Sequence, residues 1–543
     1  MRAASCEPAS LTATAIAMSD SSVSRATLDP AALTDPHPDP DSFSHRHPNI
    51  TLAVASATCA LIVLDTNVVA VSLPSIAHAF HASFADIEWV VSAYMTAFAA
   101  CLLPAGAIAD RFGRRRVLFY GLALFALASL GCGAAPTAAL LITARAVKGL
   151  GAALLLTSAL AVIAHRFAQG PARERAWAVW GMCMGIATAV APWVGGAITQ
   201  WAGWRWIFLM NLPVCALLAL GARRAIDESR DPHAKRLDLP GGVLFAAALA
   251  CAVWMLIGIP ADGWQSASTL GRGAASIALF VAFVCSQRWQ TRPMIDLNLF
   301  RRARFVGALL GMFGYAACAQ VMMTFLPLYL QIAFGFSALQ AGLGMLPFAA
   351  AMIAGPSLGA ALARRATTGG VLSAGLALIG AGNLAMAACA AGGHYLAVAF
   401  AMLVTGTGAG VMNGDTQKAI MACVPRERTG MASGISTTTR FSAIVTAVGV
   451  LGAVLAAHTQ SALAQLIANV PAARHAVDAR FMASLLAGDL GEALRTLDAP
   501  TAHLLARAAP LAFAHGFARA LLVSGIVALA SAVAVKLMAD ARD

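Results

Sequence analysis

Fourteen times along this chain an apolar run recurs that is long enough, at about 20 residues, to cross a bilayer as a helix. No other feature restricts the fold so strongly. Backbone amides and carbonyls in hydrocarbon find no water, so a spanning segment must satisfy them internally. Helices do this alone, whereas strands would need short alternating runs that close into a barrel. The runs fall at 51–73, 89–109, 117–135, 139–163, 175–199, 205–222, 240–260, 273–287, 305–327, 340–362, 371–391, 395–414, 430–456 and 512–537. The rest of the chain cannot offset them: 59% of residues are hydrophobic, 11% are charged and mean hydropathy is +0.74. Soluble globular chains carry about 25% charge. The fold class is therefore an all-α polytopic membrane protein.

Charge fixes the orientation. Most of the 37 Lys and Arg lie in alternate connections, beginning with the N-terminal tail and the DRFGRRR loop. The positive-inside rule then puts both termini in the cytoplasm and supports an even number of spans. These loops account for the net charge of +12, and no nucleic-acid partner is needed. Residues 1–48 are polar and rich in Pro and Ser, without an apolar core and cleavage site. They read as a disordered cytoplasmic tail rather than a signal peptide, and Met18 is an alternative start. Nine of the eleven cysteines lie within spans, and none shows metal-ligand spacing, so they read as small apolar filler. No HExxH, GxSxG or phosphate-binding GxxxxGK[ST] pattern occurs, which argues against an enzyme and against ATP as direct driver.

Within LIVLDTNVVAVSLP, residues 61–74, sits Asp65. An acid at the centre of a membrane helix costs about 2.5–3.5 kcal/mol on insertion scales, which makes it a candidate functional group. The competing reading is that it pairs with a neighbour to hold helices together. In span four, Lys148 lies three residues after Arg145, a spacing that puts both on one helix face.

The short loop GAIADRFGRRRVL, 106–118, is more specific than a topology signal. Gly106 allows close helix approach, Asp110 can cap or pair, Gly113 permits a tight turn, and Arg111, Arg114 and Arg115 can meet acids or helix C-terminal carbonyls. Its spacing resembles the signature loop of the major facilitator superfamily. LDTNVVAVSLP resembles the span-one pattern of the fourteen-span drug:proton antiporter branch, with Asn67 and Ala70 as departures. ARAVKGLGAALL resembles the branch's span four, with Lys148 in place of Gln. MGIATAVAPWVGGAI resembles its antiporter motif, where Pro192, Gly195 and Gly196 match, Ala191 replaces a Gly, and Gly181 and Gly185 precede them. WRWIFLMNLP and FLPLYLQIAFGFSALQAGLGMLP resemble spans six, nine and ten.

That resemblance implies a major facilitator fold of fourteen helices, with two six-helix bundles around a midplane cavity plus two inserted helices. The implied division is a bundle over 49–222, the inserted pair with its loops over 223–303, and a second bundle over 304–543 that includes an outward loop at 458–511. It implies a secondary transporter of the bacterial inner membrane that exports amphipathic toxic compounds in exchange for protons, with Asp65 and Arg145 coupling the two. Export of a specific metabolite is the alternative. The driving force is the proton gradient, with no cofactor. The partners are a small-molecule substrate, protons and the lipid bilayer, and the outward loop could meet a periplasmic adaptor and an outer-membrane channel. Asn67, Lys148, Met184, Trp193, Met322, Phe325 and Arg440 are the candidates for lining the cavity, each also readable as helix packing. Asp415 and Lys418 read either as a gate pair or as a solvated loop.

Overall fold

A computed structural model describes residues 48–167, 170–230, 238–290, 295–424, 429–495 and 497–540; residues 1–47 of the N-terminal tail read from the sequence lie outside them, and Pro48 opens the first helix. Fourteen helices are long and apolar enough to span a membrane: α1 Pro48–Phe80, α2 Phe84–Phe112, α3 Arg114–Gly133, α4 Ala138–Arg166, α5 Gly170–Trp201, α6 Trp206–Ala225, α7 Pro240–Ile259, α8 Ala267–Trp289, α9 Ala303–Phe334, α10 Ala338–Ala363, α11 Thr368–Gly392, α12 Tyr395–Ala422, α13 Met431–Leu466 and α14 Ala499–Ala539. No strand occurs among the described residues. The helices alternate in direction, so both described ends and the Asp110–Arg116 loop share one face, called the basic face below. The other is the far face.

Local sequence explains where the helices start and stop. Ser83 and Asp86 form a capping box at the start of α2, and Ser337 with Gln340 forms another at α10. Thr137, Ser266 and Thr367 cap α4, α8 and α11. α9 ends at Gly335, whose φ of +67° gives the left-handed turn that only glycine adopts freely. A π-helical turn over Ala316–Gln320 interrupts α9. The wide turn leaves the Cys318 carbonyl free to accept from Asn383 Nδ2 at 2.9 Å and from Ser524 Oγ at 3.3 Å, while Thr405 Oγ1 donates to Asn383 Oδ1 at 3.2 Å. One polar cluster thus ties α9, α11, α12 and α14, where hydrophobic association between helices contributes little.

Helices α1–α6 pack mainly on one another, as do α9–α14. α7 wedges against both α2 and α13, and α8 rests on α7 with most of its surface facing outward. The two halves meet along α2 and α13 and, toward the far face, where α5 meets α10 and α1 meets α9.

One stretch departs from the expected layout. The stretch expected as an outward loop, 458–511, is helical at both ends: α13 runs on to Leu466 and α14 starts at Ala499. Three short helices, Pro471–Ala476, Ala479–Ala487 and Leu490–Arg495, fill the gap. Phe481 and Leu485 bury themselves against Leu463, Leu505, Ala509 and Ala512. The helical spacing of apolar residues in SALAQLIANV and FMASLLAGDLGEALRTL therefore serves a small satellite core beyond the spans.

Candidate functional site

Asp65 sits about halfway along α1 and is 1% exposed. Its carboxylate accepts three hydrogen bonds. Lys148 Nζ donates to Oδ1 at 2.5 Å, Asn211 Nδ2 donates to Oδ1 at 2.8 Å, and Arg145 Nη1 donates to Oδ2 at 3.2 Å. Arg145, Lys148 and Asn211 are all fully buried. Arg145 and Lys148 reach the same acid because three residues along α4 bring side chains back to one face. Asn211 comes from the WRWIFLMNLP stretch at the start of α6.

Aromatic rings complete the enclosure. The Arg145 guanidinium lies 4.2 Å from the centre of the Tyr94 ring, and Lys148 Nζ lies 4.7 Å from Phe125 and 5.0 Å from Phe208. Ring faces attract cations most strongly where water is excluded. Arg145 Nε also donates to the Val90 carbonyl at 2.9 Å, which fastens the cluster to α2. Two cations on one carboxylate leave a formal charge of +1. Protonating Asp65 would leave two buried cations facing each other, so a proton gained here must be answered by movement of Arg145 or Lys148.

Close helix approach makes this enclosure possible. A Cβ on Gly149 would collide with the Tyr94 carbonyl of α2, and one on Gly151 would lie 2.8 Å from the Phe125 amide nitrogen of α3. Gly106, expected to serve that purpose, does not: a Cβ there would meet only a Thr157 methyl at 3.9 Å. The tight contact belongs to α4, because that helix crosses both neighbours.

The signature loop is braced from outside its own sequence. Gly113 has φ +108°. Arg114 Nη2 pairs with Asp110 at 3.0 Å, and Arg111 stacks on the neighbouring Phe112 ring at 5.5 Å. Glu228, beyond α6, accepts from the amides of Arg115 at 3.1 Å and Arg116 at 3.2 Å. A carboxylate on these free amides satisfies the N-terminus of α3. Arg115 Nη2 donates to the Arg223 carbonyl at 3.2 Å. Neither Glu228 nor Asn211 stands out in the sequence, since both act through partners more than 100 residues away.

The antiporter motif divides between two settings. Gly195 and Gly196 are contact points: a Cβ on Gly195 would press on Val68 of α1, and one on Gly196 on the Ala338 carbonyl and Leu339 of α10. Gly342 of α10 returns the contact against Pro192 and Trp193. Gly181 and Gly185 stand in open space, where an added Cβ would meet nothing within 4 Å. Trp193 is 46% exposed, Met184 is half-buried, and Met322 and Phe325 are buried. Asn67 Nδ2 donates to the Val63 carbonyl of its own helix at 2.8 Å. Arg440 Nε donates to Gln320 Oε1 at 2.6 Å, and its guanidinium lies 5.8 Å from the Tyr315 ring. Asp415 and Lys418 pair with each other along α12 at 2.9 Å, with Lys418 exposed, so they form no bridge between the halves.

Comparisons with known proteins fit this architecture. The family model described as Major Facilitator Superfamily matches residues 55–448. The chain is 34% identical over 418 residues to the multidrug resistance protein Stp of Mycobacterium tuberculosis, covering 76% of this chain and 77% of that one. It is 32% identical over 487 residues to the multidrug efflux pump LfrA of Mycolicibacterium smegmatis, covering 90% and 95%. It is 30% identical over 410 residues to the tetracenomycin C resistance and export protein of Streptomyces glaucescens, covering 74% and 76%. Among solved structures, a bacterial homolog of the human lysosomal transporter Spinster, in an inward-facing and occupied conformation, superposes with a TM-score of 0.59 at 16% identity, over 90% of this chain and 96% of that one. At that identity the likeness speaks for the fold alone.

Proposed function

The chain belongs to the major facilitator superfamily, and from that premise we propose that it exports amphipathic toxic compounds in exchange for protons, through alternating access of a midplane site. The family places it among transporters rather than enzymes. Drug export is supported by relatives whose names describe multidrug resistance, efflux and antibiotic export. The proposed setting is the bacterial inner membrane, with the basic face toward the cytoplasm as the positive-inside rule requires, and no cofactor beyond the proton gradient.

One observation carries the coupling mechanism: a single acid, buried in the first bundle, holds two cations and an amide in one sealed cluster. A proton arriving on Asp65 cancels its charge and frees Arg145 and Lys148 from it. Arg145 is also bonded to the backbone of α2, which packs on α13 of the other half. Release of the cluster therefore acts on the seam between halves. The far-face helices pack on the chain's own spans, which supports an exporter that works as a single component, without an adaptor or outer-membrane channel.

The test uses everted membrane vesicles and an ethidium-like dye after a pH jump. The parent should accumulate dye, and Asp65→Asn should lose gradient-driven accumulation by at least about 100-fold, the scale of one lost proton-transfer group. Equal accumulation by both would remove Asp65 from the coupling. A second reading has its own observation: Lys148 gives the cluster a net positive charge, which suits an anionic or zwitterionic metabolite better than a cationic drug. Transport of such a compound, with none across a broad drug panel, would decide for it.

A further inference from the structure

A second acid lies buried in the protein, and the cluster around Asp65 does not use it. Glu88, one turn into α2, is 3% exposed. Neither of its carboxyl oxygens has a hydrogen-bond partner among the described residues. It borders a cavity of about 10 Å³ at the far-face seam, walled by Leu73 of α1, Thr324, Phe325 and Leu328 of α9, and Val448 of α13, with Thr324 the one other polar side chain in its lining. That space admits nothing larger than a single water, so a proton is the ligand the site suits in this state. The carboxyl also lies where a side chain on Gly452 of α13 would have to go. It therefore bridges the first half and the second, and only a glycine opposite leaves it room.

We infer that Glu88 is a proton-binding latch on the far-face seam: protonated when α2 and α13 close on it, ionised when they part and water enters. The inference rests on the alternating access proposed above. An ionised carboxylate without donors is strongly disfavoured in an apolar enclosure, whereas a neutral carboxylic acid fits there. The charged groups on neighbouring helices are engaged elsewhere. On α1, Asp65 is held by Arg145 and Lys148 of α4, and His78 pairs with Asp489. On α13, Arg440 bonds Gln320 and His458 is exposed. Asp262, just past α7, pairs with Arg272. On α2 itself Asp86 belongs to the capping box and Tyr94 faces Arg145, while on α9 Tyr329 donates to the Ala390 carbonyl. The arginines of α3 lie at the basic face, and Arg480 of the Ala479–Ala487 helix is exposed. None of these groups lines the Glu88 cavity.

The proton of Glu88 comes from far-face water and returns to it, because the acid sits near the far-face end of α2, at the mouth of the seam that opens there. Glu88 thus senses the pH outside and is not the carrier of the exchanged proton. The two acids are nevertheless connected. Arg145 grips the carbonyl of Val90, two residues along α2 from Glu88, so displacement of α2 at the latch pulls on the Asp65 cluster.

The test measures far-face opening directly on the full chain in lipid nanodiscs. Spin labels carried by non-natural amino acids at exposed Ala134 and His394 report the distance between the halves from pH 5 to pH 9. In the parent the longer distance should gain population as pH rises, since ionisation of Glu88 favours the open seam. Glu88→Gln, which keeps the shape but cannot ionise, should stay at the short distance throughout. Glu88→Asp should restore the transition with a shifted midpoint. A pH profile of Glu88→Gln that overlays the parent would overturn the latch, as would a parent with no pH-dependent opening. Should Glu88→Gln fail to fold, the aspartate arm decides, and an unshifted midpoint there counts against the proposal. The dye assay with Asp65→Asn is read separately. Loss of the pH-dependent opening in Glu88→Gln alongside unimpaired export by Asp65→Asn would retain the latch and refute the coupling role of Asp65.

Discussion

At the scale of single residues, the protein's chemistry is a matter of which buried charges have partners. Asp65 has three donors and, among the described residues, Glu88 has none. Removing the carboxylate altogether with Asp65→Ala leaves Arg145 and Lys148 buried and uncompensated, and should destabilise the protein by about 3–5 kcal/mol, read as a lowered melting temperature in detergent. Lys148→Gln should be tolerated, because one carboxylate and one guanidinium then balance. It should also raise uptake of cationic dyes relative to anionic ones, measured as a ratio in the same vesicles. If that ratio stays at the parent value, Lys148 does not select substrate charge. Asp65 and its two cations were legible in the sequence because a charge inside an apolar run stands out. Asn211 was not, since an amide beside a helix start has many uses. Glu88 is hidden for a simpler reason: a hydropathy run ends at the first charge, so the second span reads as beginning at 89, one residue past Glu88 and five past the start of α2 at Phe84.

At the scale of elements, termini and glycines do the positioning. α3 begins on Gly113, whose φ of +108° disfavours any side chain, and Glu228 occupies the space a Cβ would need. Gly113→Ala should cost about 1–2 kcal/mol of backbone strain. Glu228→Gln should weaken the cap on α3 by about 1 kcal/mol and speed hydrogen exchange at Arg115 and Arg116, without altering exchange in α9–α14. Unchanged exchange at those two amides would mean that Glu228 does not brace the loop. The signature spacing announced this loop, but its brace lies past α6, and no local pattern links the two.

At the scale of the whole molecule, the far face is closed by small residues meeting backbone. Gly196 sits on the Ala338 carbonyl, Gly342 on Pro192, and Gln331 Nε2 of α9 donates across the seam to the Val71 carbonyl of α1 at 3.0 Å. Pro74 of α1 and Leu328 of α9 both lie against Gly488, so the short far-face helices cover the two halves together. Gly196→Leu should wedge this seam, populate the longer Ala134–His394 distance at every pH and lower gradient-driven export at least about tenfold, by the penalty of overpacking a tight contact. A distance distribution equal to the parent's would show that the seam tolerates the bulk. The sequence by itself determined that the chain crosses a membrane fourteen times as helices, because hydrocarbon leaves the backbone no other way to satisfy its hydrogen bonds. It determined the family as well, through the spacing of a few glycines and charges. Only the tertiary structure decided which groups meet: that Lys148 and Asn211 share Asp65, that Glu228 braces α3, that α13 and α14 run past the expected loop ends, and that Glu88 stands alone at the seam. Hydropathy reports the environment a segment enters, whereas a partner hundreds of residues away is fixed by how helices cross.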